Sequence, residues 1–193
     1  MKKIGLTQRT EFIKEYNETR DCLDQRWTLL LEQLGYVPVP LTNKSENVEK
    51  YLDSLTLDGI ILTGGGPSVE RDHFEEKLIK YVSQRKINTL GVCRGAQMLA
   101  KSCGLKLRSI EGHCATRHKI NFGKHILEVN SYHEYALPLE NFPSSLNVLA
   151  SAEDKTVEAF SHSTLPQLGI MWHPEREMPF ASSDLKLIKD LLG

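Results

Sequence analysis

Along the first hundred residues, unbroken apolar runs alternate with stretches whose apolar positions return every three or four residues. The runs are "KKIGLTQ" near the N-terminus, "YVPVPL" from Tyr36, "DGIILTG" from Asp58 and "INTLGVC" ending on Cys93. Between them, "CLDQRWTLLLEQLG" closing on Gly35, "NVEKYLDSL" and "ERDHFEEKLIKYVSQRK" carry the helical period. A strand that is apolar throughout, rather than at every second position, is buried on both faces. Alternation of such strands with helices therefore predicts an α/β architecture, a parallel sheet covered on both sides. In such a sheet, ligands bind beyond the carboxyl ends of the strands.

From about residue 105 the rhythm changes to short strand-like segments, "HILEVNS", "LNVLASA", "TVEAFS" and "QLGIMWH", before an amphipathic helix "SDLKLIKDLLG". Leu30 with Leu34, and Leu185 with Ile188 and Leu192, stand at helical spacing and are expected to face the core. No repeat, low-complexity tract or linker interrupts the chain, so residues 1–193 are read as one domain.

Composition narrows the partners. A formal net charge of -1 gives no electrostatic footprint for nucleic acid or an anionic membrane, which leaves small molecules. No segment reaches the roughly 20 apolar residues of a membrane span, and the N-terminal stretch has no apolar core of a secretion signal, so a cytoplasmic protein is expected. Cys22, Cys93, Cys103 and Cys114 form no C-x-x-C pair and no secreted-domain framework, so neither structural zinc nor disulfides are expected. Reactivity remains as a reason to keep a cysteine.

Cys93 stands in "GVCRG", directly after an apolar strand and directly before a helical pattern. Such a strand-to-helix corner holds a nucleophile up and exposed while Gly91 and Gly95 permit the bend. Free amides at the start of the next helix are expected to favour the thiolate. A buried cysteine at an ordinary turn is the alternative. A nucleophilic thiol needs a base, and "MWHPERE" offers His173, with Pro174 fixing the turn and Glu175 two residues on. In an extended segment Glu175 would hold one imidazole nitrogen while the other faces Cys93. The glycines of "LTGGGPS" allow backbone N–H groups to turn toward a ligand. Gly65 and Gly66 are candidates for one oxyanion donor and the Arg94 amide for another.

The motifs "GLTQR", "DGIILTGGG", "GVCRGAQ", "VNSYHEYAL" and "MWHPERE", in this order over nearly the whole chain, resemble the class I glutamine amidotransferase superfamily, in its γ-glutamyl hydrolase-like branch. The resemblance implies a three-layer flavodoxin-like sandwich with a mostly parallel central sheet. It implies Cys93 as nucleophile, His173 as general base and then acid, and Glu175 as its orienting carboxylate. Gln97 matches a position that holds the glutamyl group, and Ser131, Tyr132 and His133 match a stretch lining the same pocket. Arg94 after the cysteine looks like the free-standing hydrolases of γ-glutamyl amides. Those relatives often show Gln where this chain has Tyr135, which leaves the substrate open.

The expected reaction is hydrolysis of a γ-glutamyl amide through a thioester on Cys93, with no metal or organic cofactor. A nucleotide-linked amide such as γ-glutamyl-CDP-amidate is one expected substrate. Gln8, Arg9, Tyr16, Arg20 and Arg26 are candidates for gripping its leaving group, against the alternative of a solvated loop and helix face. Two other readings stay open: a glutaminase subunit that passes ammonia to a separate synthase, and a non-catalytic redox-sensing module built on Cys93. His113, Cys114 and His118 in "GHCATRH" lack the i, i+4 spacing of a helical metal site, so no metal is expected there. His113 and His118 could instead lie near the pocket mouth.

Overall fold

Strand β1 (Lys3–Leu6) leads into a hairpin, β2 (Arg9–Ile13) and β3 (Glu18–Cys22), and then into helix α1 (Arg26–Gln33). The chain continues through β4 (Val37–Pro40), α2 (Val48–Leu55), β5 (Gly59–Leu62), α3 (Val69–Arg85), β6 (Thr89–Val92) and α4 (Arg94–Ser102). Its second half holds β7 (Arg108–Ser109), β8 (Thr116–Phe122), β9 (His125–Ser131), β10 (Tyr135–Pro138), β11 (Leu146–Ala152), β12 (Thr156–His162), β13 (Gln167–Ile170) and α5 (Ser182–Leu192). This computed structural model describes residues 1–193. No helix is long and apolar enough to cross a membrane.

The parallel centre runs β4-β1-β5-β6-β13. Numbered along the chain, these strands stand in the order 2-1-3-4-5, that of flavodoxin-like sheets. Every residue of β5, β6 and β13 is buried, the consequence of cover on both faces. Ile61, Leu90, Val92 and Ile170 pack with Trp27, Leu30 and Leu31 of α1 and Ile188 and Leu192 of α5. Ile60 and Leu62 point the other way, into Leu52, Phe74, Leu78, Val82 and Leu99 of α2, α3 and α4. The expected core stripes of α1 and α5 both fall in the first of these clusters.

Beyond β13 the sheet turns antiparallel through β12, β11, β8 and β9, with β10 pairing β12 and β7. Residues 9–22, expected as a loop running into a helix, form the β2–β3 hairpin instead, and α1 starts at Arg26 rather than Cys22. Asn17 takes φ 52 in the tight turn. The hairpin buries no face, so it lacks the apolar alternation that announces a strand. Asp21 docks it, accepting from Asn43 N at 2.9 Å, Asn43 Nδ2 at 2.8 Å and Thr42 Oγ1 at 3.1 Å.

Candidate active site

The register of the two neighbouring parallel strands brings the distant motifs together. Ile170 of β13 pairs with Val92 of β6, and the next amide, Cys93 N, donates to the Ile170 carbonyl at 2.8 Å. Cys93 then stands at φ 51 and ψ -107, a strained backbone for a residue with a side chain, and α4 begins at Arg94. The small neighbours are sterically required. A Cβ on Gly95 would overlap the Leu62 carbonyl oxygen, and one on Gly91 would sit 2.6 Å from the Gly95 carbonyl carbon. Helix α4 can therefore press against β5 and β6 only through glycine.

The Arg94 amide bonds the Cys93 sulfur, but the thiolate bias expected of the helix start is outweighed. Burial pushes the thiol up to about 12, against the pull of the Arg94 amide, and the Glu175 charge adds to the rise. At neutral pH the resting side chain is a thiol. The Arg94 guanidinium points away from the cleft and pairs with Asp72 and Glu75 of α3.

His173 follows β13, and Asn130 of β9 clamps its backbone. Asn130 Oδ1 accepts from His173 N at 2.8 Å, while Asn130 Nδ2 donates to the His173 carbonyl at 2.9 Å. The imidazole Nδ1 lies 2.7 Å from Glu175 Oε1. The expected contact is thus present, but a 3-10 turn over Pro174–Arg176 brings it about rather than an extended segment. With Nδ1 donating to the carboxylate, Nε2 is the free nitrogen, and His173 and Cys93 line one cleft of about 710 Å³. Tyr132 meets the imidazole edge to face at 5.6 Å, and the Arg176 guanidinium lies 4.2 Å over the Tyr132 ring.

Gly65 and Gly66 line the same cleft, and neither amide donates to another backbone carbonyl. Arg71, fully buried, explains their orientation. Its guanidinium donates to the Gly64 carbonyl at 3.0 Å and the Thr63 carbonyl at 2.7 Å, and pairs with Glu75 at 2.8 Å. In a trans peptide the N–H opposes the C=O, so fixing the Gly64 carbonyl on Arg71 turns the Gly65 N–H the other way. Gly65 has φ +117, open to glycine and costly for other residues. Arg71 and Asn130 are not marked by any motif; each is a polar residue within an otherwise apolar pattern, the one signal that could have pointed to them.

Gln97 lines the cleft and donates from Nε2 to the Tyr135 carbonyl at 2.8 Å, which leaves its Oε1 as an acceptor. Tyr132 and His133 are also in the wall. Ser131 is not; its hydroxyl donates to the His113 carbonyl at 2.6 Å and anchors the wall from behind. The expected leaving-group set is not gathered there either. Gln8 donates to the Leu41 carbonyl at 2.9 Å, Arg20 pairs with Glu18 and lies over Tyr16, and Arg26 pairs with Asp24. Arg9 reaches only a small recess behind His173, beside Gly65. The cations on the cleft itself are Lys101, Lys106 and Arg176, besides the paired Arg94. Behind His133 stand His113, His118 and Glu158; burial raises the Glu158 carboxyl, but hydrogen bonds from His118 and His133 outweigh it and hold the group below its ordinary value.

A flavodoxin-like sheet with a cysteine elbow, a histidine–carboxylate pair and a glycine loop at adjoining strand ends defines an amidotransferase-type hydrolase fold. Residues 19–185 match the model of the family described as Glutamine amidotransferase class-I, and the chain belongs to that family. It is 35% identical over 187 residues to a gamma-glutamyl-CDP-amidate hydrolase of Campylobacter jejuni, covering 90% of each chain. It is 27% identical over 152 residues to the glutamine-hydrolysing subunit of a GMP synthase of Methanococcus vannielii, covering 75% of this chain and 78% of that one. Among solved structures, a glutamine amidotransferase of Thermotoga maritima superposes with a TM-score of 0.66 at 18% identity, covering 99% of this chain and 84% of that one, a likeness of fold.

Proposed function

We propose that the protein hydrolyses γ-glutamyl amides through a γ-glutamyl thioester on Cys93. The observation that carries this reading is the shared cleft: a cysteine on a strained elbow, its sulfur bonded by the Arg94 amide, beside an imidazole whose far nitrogen is tied to Glu175. Because the thiol rests protonated, attack on the amide carbonyl requires His173 Nε2 to take the proton as the bond forms. The negative oxygen then meets the amides of Arg94 and of Gly65 or Gly66; one such donor contributes about 2.7–4 kcal/mol in related chemistry. His173, now an imidazolium stabilised by Glu175, protonates the departing nitrogen. Water, deprotonated by the same nitrogen, releases glutamate and restores the thiol. Gln97 Oε1 is placed to accept from the substrate's α-ammonium.

The leaving group is a large, anionic one. A cleft of about 710 Å³ exceeds what a glutamyl group fills, and the end of α4 and the loop after it line the surplus with Met98, Leu105 and Leu107 beside Lys101 and Lys106. An apolar wall next to two ammonium groups suits a nucleotide, base on the wall and phosphates on the lysines. The likeness to a gamma-glutamyl-CDP-amidate hydrolase supports the same class. A second reading, a glutaminase that passes ammonia to a separate synthase, draws on the likeness to the glutamine-hydrolysing subunit of GMP synthase. A panel of γ-glutamyl amides, assayed for glutamate release by the isolated protein, separates them. Preference for phosphorylated or nucleotide-linked amides supports the hydrolase. Near-idleness on all of them, relieved only by a synthase, supports the second reading.

A further inference from the structure

Behind the cleft wall lies a second polar cluster that the proposed thioester chemistry does not use. His113 comes from the loop between β7 and β8, His133 from the segment after β9 and Glu158 from β12; all three are buried. His113 Nδ1 is 3.4 Å from His133 Nε2, and each lies 3.7 Å from Glu158 Oε1. Ligand atoms about 2.0–2.1 Å from a tetrahedral cation stand about 3.3–3.4 Å apart, so the triangle is within a few tenths of an ångström of a coordination face.

The outward ring nitrogens decide what the inward ones present. His113 Nε2 faces the Asp154 carboxylate at 2.8 Å and His133 Nδ1 faces the Tyr135 carbonyl at 3.1 Å, so each of these nitrogens donates a proton. Asp154 is itself fixed by Thr156, whose hydroxyl donates to it at 2.7 Å. In neutral rings, His113 Nδ1 and His133 Nε2 are then bare lone pairs, aimed at each other and at a carboxylate oxygen. Three buried acceptors with no donor among them repel unless a cation joins them. A carboxylate or carbonyl behind each ring is also the arrangement that orients metal-bound imidazoles. A further pair of buried atoms without a hydrogen-bond partner, Glu158 Oε2 and His118 Nε2, lie 3.4 Å apart, and the His118 ring is 4.5 Å from that of His113.

We propose that His113, His133 and Glu158 bind a first-row divalent cation, zinc by preference, with His118 as the fourth donor. Imidazole and carboxylate donors near tetrahedral spacing favour zinc over calcium or magnesium, which take oxygen ligands in larger numbers. The cation would tie the His113 loop and the Tyr132–Tyr135 wall of the cleft to β12.

The test uses the full chain carrying Cys93→Ala, so that the elbow sulfur cannot compete for metal. After treatment with a chelator it is titrated with zinc and, separately, with cobalt(II). The proposal expects one equivalent bound, a cobalt d–d spectrum of low coordination number with no thiolate charge-transfer band, and nitrogen and oxygen neighbours alone by X-ray absorption. Adding Cys114→Ala should change nothing, whereas His113→Asn and Glu158→Gln should each weaken binding about 100-fold or more. Absence of stoichiometric binding, sulfur among the metal's neighbours, or undiminished binding in folded variants would overturn it. The cobalt spectrum of the Cys93→Ala chain decides even where a ligand variant fails to fold.

Discussion

The carboxyl ends of β6 and β13 and the interior face of the antiparallel extension each gather histidine and carboxylate, yet their hydrogen-bond balance is opposite. At the strand ends one imidazole has one nitrogen committed to Glu175 and the other free beside an open cleft. In the extension, the outer nitrogens of His113 and His133 are committed, and the inner ones converge on Glu158 in the interior. A free nitrogen next to a thiol can move a proton; converging acceptors out of reach of water call for a cation. The two are joined through the sheet, since the backbone carbonyl of Glu158 accepts from Met171 N at 2.8 Å, two residues before His173.

If the division is right, substitutions at one cluster leave the other's property intact. Cys93→Ala should abolish glutamate release, and His173→Gln should lower kcat by about 10²–10⁴-fold, while both proteins keep the metal stoichiometry of their parent. Steady-state kinetics beside a zinc titration checks this; loss of metal binding in either variant would merge the two clusters. Gly64→Ala should cost about 10²-fold in kcat, because its Cβ would overlap His173 Cε1 and displace the ring. Unchanged kcat there would mean that the ring position is not critical.

Smaller effects come from the buried acids. With the Cys93 thiol pushed up to about 12 from 9.0, the unfolded chain releases this proton first as pH rises, so the folded state binds more protons and loses stability above about pH 9. Ultraviolet titration should find no Cys93 thiolate at neutral pH; a thiolate there would contradict the account of the resting site. Burial raises the Asp184 carboxyl from 3.8 to about 6, against the Trp172 indole N–H that donates to it at 3.1 Å. The unfolded chain ionises first here too, so this group costs stability as pH rises through that interval. Asp184→Asn should therefore be more stable than the parent by about 1–3 kcal/mol at pH 7 and equal to it below about pH 3, as read by denaturant melts.

The same contrast governs what could be read from the chain. In the parallel half, burial on both faces writes itself as unbroken apolar runs, and the elbow, the glycine loop and the His173–Glu175 pair are each local in sequence, so fold and corner were legible. The β2–β3 hairpin was not, because both its faces are mostly solvated. Nor were the leaving-group cations: the polar residues after β1 go into that hairpin, while Lys101 and Lys106 follow from where α4 ends. His113, His118, His133 and Glu158 show no helical spacing, the one pattern by which a metal site announces itself within a short stretch. Their meeting is set by strand pairing among β8, β11 and β12, and no single stretch of the chain records that register.

The most direct test of the central claim is mass spectrometry of the protein quenched during turnover of a γ-glutamyl amide. The account predicts one γ-glutamyl group on the peptide bearing Cys93, accumulating when His173 is replaced by a weaker base and absent in Cys93→Ala. Glutamate release by Cys93→Ala at the parent's rate, with no acyl group on any cysteine, would contradict it.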